Sequence, residues 1–371
     1  MKIVCAREPF LAAFQTAASV ALSRSPKAIL QHVKLTATPE KATFTATDLE
    51  VGVRVESEGV EVETPGAAMF HKDRFGDLLR ESRDEKLVIH TEANGMTVRG
   101  ERSEFHLAVA GAEEFPEVAA FDSEAYVETP ARLFRTLIHR TLYATDPESS
   151  RYALGGVKLE NDKSNLVAVG TDGRRLAKME GPCVCKDYEI PPDASVIVPV
   201  PAMSLIERAL GEGEGEIRFH ATGNDIRVRG PNFTVYARLV EGRFPKWRDV
   251  FPRREGVERI DLMVGQLLTA VRQAAVVASE ESRGVKFHFR TGELLLSAAT
   301  AEVGDSSVRV PLSYEGRDIP IALDHRFVTD FLRTLSDEAT FTIEIENSDA
   351  AAVLKTDDGY GYVVMPLSLE R

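Results

Sequence analysis

The stretch TDGRRLA, Thr171 to Ala177, sets an acid, a flexible glycine and two guanidinium groups side by side. Three chemistries use such a group. Asp172 could be a general base flanked by cations in a hydrolase or transferase, the backbone could cradle a phosphate, or Arg174 and Arg175 could hold a ligand in a surface that only binds. Other candidates offer less. The eight histidines are scattered, and none stands in an HExxH or GxSxG context. His220 and His288 lie inside alternating strand patterns and read as packed or surface residues. The acidic run from Gly211 to Glu216 lacks the Lys-Ser/Thr of a phosphate loop, and its carboxylates would repel phosphate. Cys5, Cys183 and Cys185 are odd in number and widely placed, which argues against a disulfide framework. No histidine or second cysteine pair stands near Cys183 and Cys185 to complete a zinc site. No catalytic residue, metal or cofactor is expected.

Asp172 is best judged by its context, because the chain repeats itself. Amphipathic helices are predicted over Glu8 to Ala21, Thr129 to Ala144 and Asp261 to Ala278. In the second, Leu133, Phe134, Leu137, Ile138 and Thr141 share one side, with Arg132, Arg135 and His139 opposite. Strand-rich stretches follow, each opening with Val-Lys at Val33, Val157 and Val285. A second helix then comes in each copy: HKDRFGDLLRES, VPAMSLIERALG and LDHRFVTDFLRTLS. In the last, Asp324 is the predicted N-cap and Phe327, Phe331 and Leu335 form an apolar stripe. Further strands close every copy, ending at Phe115-Pro116, Phe244-Pro245 and Met365-Pro366. Thr171-Asp172 therefore has a counterpart in Thr47-Asp48 of TATDLEVGV and a weaker one in SAATAEVGD. A shared strand-turn-strand is copied in this way; a catalytic loop is not. Asp172 reads as a turn-forming aspartate.

The expected fold is α+β: three tandem two-helix, antiparallel-sheet domains over residues 1–122, 123–253 and 254–371. Tandem copies favour a curved array, and two such chains meeting head to tail can close into a ring. The 371 residues are 43% hydrophobic and 28% charged, the balance of a soluble globular protein. A net charge of -13 disfavours indiscriminate adhesion to nucleic acid or anionic lipid. No apolar run reaches a membrane span, MKIVCAREPF does not read as a signal peptide, and a cytoplasmic protein is expected.

Two surfaces remain. Arg24, Lys72, Arg74, Arg80, Arg83, Arg132, Arg135, Arg140, Arg272, Arg326 and Arg333 lie on or beside helices. Singly they are solvated cations; together on one concave surface they would make a salt-sensitive phosphate track without base reading. Leu154, Leu176, Pro245, Val250, Val363, Met365 and Pro366 would line a groove rimmed by Arg174 and Arg175 if TDGRRL and the C-terminus meet. The same residues also suit plain interdomain packing.

TDGRRLA, EGRFPKWRDVFP, ESRGVKF, YVVMPL and TATDLEV together resemble the bacterial sliding clamp family, the beta subunit of DNA polymerase III, from Met1 to Leu369. The resemblance implies half of a closed ring, with two head-to-tail chains encircling duplex DNA and no catalysis. It implies a pocket for short linear motifs of the replicative polymerase, the clamp loader and repair proteins, made of Leu154, Thr171, Gly173, Arg174, Arg175, Leu176, Pro245, Val250, Val363, Met365 and Pro366. It implies DNA contacts at Arg24, Arg151, Tyr152 and Arg243, and a homodimer interface pairing Phe105 and Leu107 with Val276 and Val277 of the partner chain. The chain departs from the family pattern at Asp249, where many relatives are basic, at Val200-Pro201, in YALGG, and in the Ser-Leu-Glu-Arg end. On the residues alone, a hydrolase using Asp172, Arg174 and Arg175, and a repeat scaffold that binds proteins but no DNA, stay open.

Overall fold

The computed structural model describes residues 1–92, 95–109, 111–149, 153–192, 194–251, 256–281 and 283–368. Among the described residues six α-helices lie between antiparallel strands: α1 Arg7–Ala18, α2 Lys72–Glu81, α3 Ala131–Thr141, α4 Val200–Leu210, α5 Val264–Ala274 and α6 His325–Leu332. The chain divides into two compact units, one of residues 1–135 with 183–240 and one of residues 136–182 with 241–371. The described residues include no helix long and apolar enough to cross a membrane.

In the first unit, a five-stranded sheet runs Val60–Thr64, Lys2–Ala6, Lys86–Glu92, Gly95–Arg99, Glu104–Leu107. A nine-stranded sheet joins two copies of the repeat, since Val51–Ser57 pairs with Phe233–Arg238. Phe10 and Phe14 of α1 meet Phe44 of that sheet edge-on, with ring centroids 4.8 and 5.5 Å apart, so the helix buries its apolar face on the strands.

The second unit repeats the arrangement. Its larger sheet contains, in order, Gly156–Asp162, Asn165–Thr171, Arg175–Pro182, Gly361–Val364, Ala352–Lys355, Thr340–Ile345 and Glu258–Met263. Again a strand of the middle copy pairs with the closing strand of the next. A four-stranded sheet runs Gly304–Pro311, Glu293–Thr300, Gly284–Arg290, Ile319–Asp324. Phe331 of α6 stacks against both Tyr360 and Tyr362, at 5.1 and 5.3 Å.

Helix boundaries differ from the sequence expectation for local reasons. Asp261 to Met263 end a strand instead of opening α5, because Ile260 and Leu262 are buried while Asp261 and Met263 face out, a period of two. Thr129 and Pro130 likewise belong to the strand Tyr126–Pro130. α1 ends at Ala18, short of Ala21. Asp324 caps α6 as expected, its carboxylate accepting from Arg326 N at 2.9 Å. The buried face of α6 is Val328, Phe331 and Leu332; Phe327 is half-buried and Leu335 lies beyond the helix.

The Thr-Asp turns agree bond for bond. Asp172 Oδ1 accepts from Arg174 N and Arg175 N at 2.8 and 3.0 Å; Asp48 Oδ1 accepts from Glu50 N and Val51 N at 2.9 and 2.7 Å. Thr171 Oγ1 donates to Arg175 O at 2.6 Å, and Thr47 Oγ1 to Val51 O at 2.9 Å. In the third copy Ala301 replaces the aspartate, and among the described residues the side-chain bond left in the turn is Thr300 Oγ1 accepting from Val303 N at 3.3 Å. The residue after each aspartate is left-handed: Gly173 at φ 88° and Leu49 at φ 84°. A Cβ there costs about 1–2 kcal/mol. Gly173→Ala is therefore expected to lower the thermal unfolding midpoint and Leu49→Gly to raise it, each by about 1 kcal/mol of stability. Equal midpoints for both variants and the parent would refute this account of the turn.

Candidate functional site

The pairing of Arg175–Pro182 with Gly361–Val364 brings the two halves of the predicted pocket together. Leu176 stands directly opposite Val363 on one side and Thr171 on the other, so three residues of three neighbouring strands form one row on one sheet face. Met365 N donates to Arg174 O at 2.9 Å and prolongs the pairing past the strand end. Leu154, Thr171, Leu176 and Val363 are buried, Pro245 and Pro366 are half-buried, and Gly173, Arg174 and Val250 are exposed. Met365 is 47% exposed, a flexible apolar side chain left in solvent beside a buried apolar row.

Pro245 and Val250 arrive on the segment between the second and third copies, which is tied down by the single tryptophan. Trp247 is buried, its Nε1 donating to Glu160 Oε1 at 3.3 Å. Arg248 pairs with the other Glu160 oxygen at 2.6 Å and stacks over the Trp247 ring at 4.4 Å. Burial pushes the Glu160 carboxyl upward, but Lys158, Trp247 and Arg248 outweigh it and its pKa is lowered. Asp249 is exposed. On the same sheet, a cavity of about 520 Å³ opens where Lys178 and Gly361 take the next outward positions, walled by Trp247 and Phe251. The sequence reading missed this cavity, although the lone tryptophan marks it.

Arg175 corrects the expectation of a rim residue. Its side chain is only 10% exposed and points to the opposite, helix-covered face. Nε meets Asp172 at 2.9 Å, Nη1 meets Asp330 of α6 at 2.6 Å, and Nη2 donates to Tyr143 O at 2.8 Å. The guanidinium also lies over the Phe327 ring at 4.4 Å. Burial opposes its charge, yet Tyr362 and the Asp330 and Asp172 carboxylates more than compensate, and its pKa is raised. Both Asp172 oxygens are thus committed, one to backbone and one to Arg175, which leaves neither for proton transfer.

Arg140 is a second correction. It leaves the expected cationic track, for it is mostly buried, pairs with Asp358 at 2.6 Å and lies over Tyr360 at 4.9 Å. Lys72 is held by Ala21 O and Ser23 Oγ, each at 2.8 Å. Arg24, Arg132, Arg135, Arg243, Arg272, Arg326 and Arg333 are exposed. Arg151 and Tyr152 lie outside the described residues.

Two sheet edges complete the picture. Glu104–Leu107 ends the five-stranded sheet and carries exposed Phe105 and half-buried Leu107. Gly304–Pro311 ends the four-stranded sheet. Beside it, the one-turn segment Ala275–Val277 presents Val276, 77% exposed, with Val277 half-buried. Among the described residues no three His, Cys, Asp or Glu side chains group as metal ligands.

The class these features define is a repeat-built α+β protein, with a buried apolar row beside an exposed methionine and an edge strand in both its first and third copies. Comparison with known proteins gives the family. Profiles of the N-terminal, central and C-terminal domains of the DNA polymerase III beta subunit match residues 1–119, 128–246 and 248–368. The chain is 31% identical to the beta sliding clamp of Chlamydia pneumoniae over all of this chain and 99% of that one. It is 29% identical to that of Salmonella typhimurium, with each chain fully covered. The sliding clamp of Pseudomonas aeruginosa solved bound to griselimycin superposes with a TM-score of 0.89, at 28% identity and full coverage of both chains. The Thermotoga maritima beta subunit shares the fold, with a TM-score of 0.88 at 22% identity and full coverage. The chain belongs to the DNA polymerase III beta subunit family, the beta sliding clamps. The family's members are processivity factors, not enzymes.

Because Arg175 joins Asp172, Asp330 and Tyr143 at low exposure, Arg175→Met is expected to destabilise the protein by about 3 kcal/mol in urea titration. Arg175→Lys should recover little, since an ammonium cannot span three partners in different directions. Full stability in the lysine variant would show that charge alone suffices.

Proposed function

We propose that two copies of this chain close head to tail around duplex DNA and slide on it without reading its sequence. They tether the replicative polymerase, the clamp loader and repair proteins through short linear motifs. The observation that carries this reading is the repeated junction. Twice within the chain, the strand after a Thr-Asp-type turn pairs with the closing strand of the next copy: Val51–Ser57 with Phe233–Arg238, and Arg175–Pro182 with Gly361–Val364. The third copy's equivalent strand, Gly304–Pro311, and the first copy's closing strand, Glu104–Leu107, are the two left at sheet edges. A second chain offers each the partner it lacks, and the same rule that joins the copies then closes the ring. Phe105 and Leu107 would meet the partner's Val276 and Val277, covering apolar side chains otherwise left in water.

The pocket reading assigns Leu154, Thr171, Leu176, Pro245 and Val363 to a floor for the apolar end of a peptide. Val250, Met365 and Pro366 form its sides, and Gly173 and Arg174 its mouth. Arg175 supports the floor from beneath. Arg24, Arg151, Tyr152 and Arg243 are the proposed DNA contacts, salt-sensitive and non-specific. The proposed domain limits are residues 1–122, 123–253 and 254–371, and the proposed location is the cytoplasm. Asp249, exposed where many relatives are basic, would shift peptide preference away from acidic flanks.

Met365→Ala should weaken a polymerase-derived peptide about tenfold in calorimetric titration while leaving the dimer intact. An unchanged dissociation constant would remove Met365 from the pocket. Phe105→Asp should move the solution mass from twice the 40.8 kDa chain toward the single chain. The same variant should abolish retention on circular DNA. Parent protein should stay on circles and leave linear ends; equal retention on both forms would end the encirclement reading.

A further inference from the structure

The nine-stranded sheet turns its apolar side to the core, burying Val33, Leu35, Phe44, Val53, Val55, Val228 and Val235. Its other side carries an unusual row. Lys34, Thr45, Arg54, Thr234 and Arg229 are successive register partners across five strands. Cations and hydroxyls therefore alternate in one line, with the cations two strands, or about 10 Å, apart.

The row lies in an open trough. The segment from Phe115 to Ala120 runs alongside it, anchored where Val118 packs so tightly on Gly52 that a Cβ there would come within 2.8 Å. A cavity of about 410 Å³ holds Lys34, Thr45 and Arg54. A second, of about 190 Å³, holds Arg229 and Thr234 and shares Lys41, Thr43 and Arg54 with the first. Two acids border the trough. Glu56 is taken by Lys41 at 2.5 Å, and Glu117 is exposed on the wall. Lys34, Arg54 and Arg229 have no ion-pair partner among the described residues. In a protein of net charge -13, three cations in one groove with no ion pair of their own repel one another and leave room for an anion.

We infer that this trough binds a short polyphosphate chain, free or carried by a nucleoside, on Lys34, Arg54 and Arg229. Cations and threonine hydroxyls can all donate to phosphate oxygens. Orthophosphate reaches only one stretch of a row about 20 Å long, whereas a chain of linked phosphates engages Arg54 together with a neighbouring cation. The site is independent of the peptide pocket and of the proposed DNA contacts.

The test is calorimetric titration of the full-length dimer, without magnesium, using tripolyphosphate, orthophosphate, ATP and a single-stranded oligonucleotide. Tripolyphosphate is expected to bind at least tenfold more tightly than orthophosphate. Arg54→Gln should weaken it at least tenfold and Thr45→Val severalfold, with unchanged thermal midpoints and unchanged retention on circular DNA. ATP binding equal to tripolyphosphate assigns the site to the phosphate chain alone; tighter ATP binding assigns it to a nucleotide. Should Arg54→Gln misfold, the double variant Lys34→Gln with Arg229→Gln, which removes both neighbouring cations, provides the same comparison. Failure of tripolyphosphate to bind at millimolar concentration overturns the proposal. So does an affinity indifferent to Arg54 and Arg229, binding through Arg54 by the oligonucleotide only, or loss of DNA retention in Arg54→Gln.

Discussion

The register between Arg175–Pro182 and Gly361–Val364 is the constraint on which the candidate pocket depends. In a strand, successive side chains face opposite ways, so a slip of one residue would exchange the two faces. In the observed register Leu176 and Val363 face outward together, while Arg175, Ala177, Tyr362 and Val364 face the helices. Arg175 makes the slip costly. It cannot move outward without abandoning Asp172, Asp330 and the Tyr143 carbonyl, leaving carboxylates partly buried and short of a partner. A buried arginine on one face thereby fixes an apolar row on the other.

Sheet edges also bear on the assembly proposed above. An exposed strand edge is a hazard, because its unpaired backbone groups accept any matching strand. Glu104–Leu107 and Gly304–Pro311 are two such edges, one in the first copy of the repeat and one in the third. Each is short or flanked by an apolar patch, so the right partner gains both ladder bonds and burial. In the proposed ring the junction seen twice within the chain would be used a third time between chains, without a separate interface having to be built.

Much of this was legible in the residues. The Thr-Asp repeat identified a turn, and the structure shows the same carboxylate and hydroxyl bonds at Asp48 and Asp172. The helical period in α3 separated buried Phe134, Leu137 and Ile138 from exposed Arg132, Arg135 and His139. What stayed hidden needed partners distant in sequence. Nothing around Arg175 or Arg140 announces Asp330 or Asp358, so both arginines read as surface cations when they are interior ones. The start of α5 was obscured for a different reason: Ile260, Leu262 and Val264 satisfy a strand's period and a helix's apolar content at once, and pairing with Thr340–Ile345 decides between them.

Removing Arg140 from the helix surface and tethering Lys72 also bears on sliding. A tether that moves along DNA must hold phosphates weakly, because each neutralised phosphate adds to the affinity and to its salt dependence. α2 interleaves Arg74 and Arg80 with Asp73, Asp77 and Glu81, and Arg80 is paired with Asp77. Arg333 likewise lies within 3.9 Å of Asp330. Cations that already have acidic neighbours give up less to a passing phosphate than free ones would. In the proposed ring these helices would combine enough positive charge to tolerate DNA with enough internal pairing to release it, while closure, rather than contact strength, would keep the protein in place.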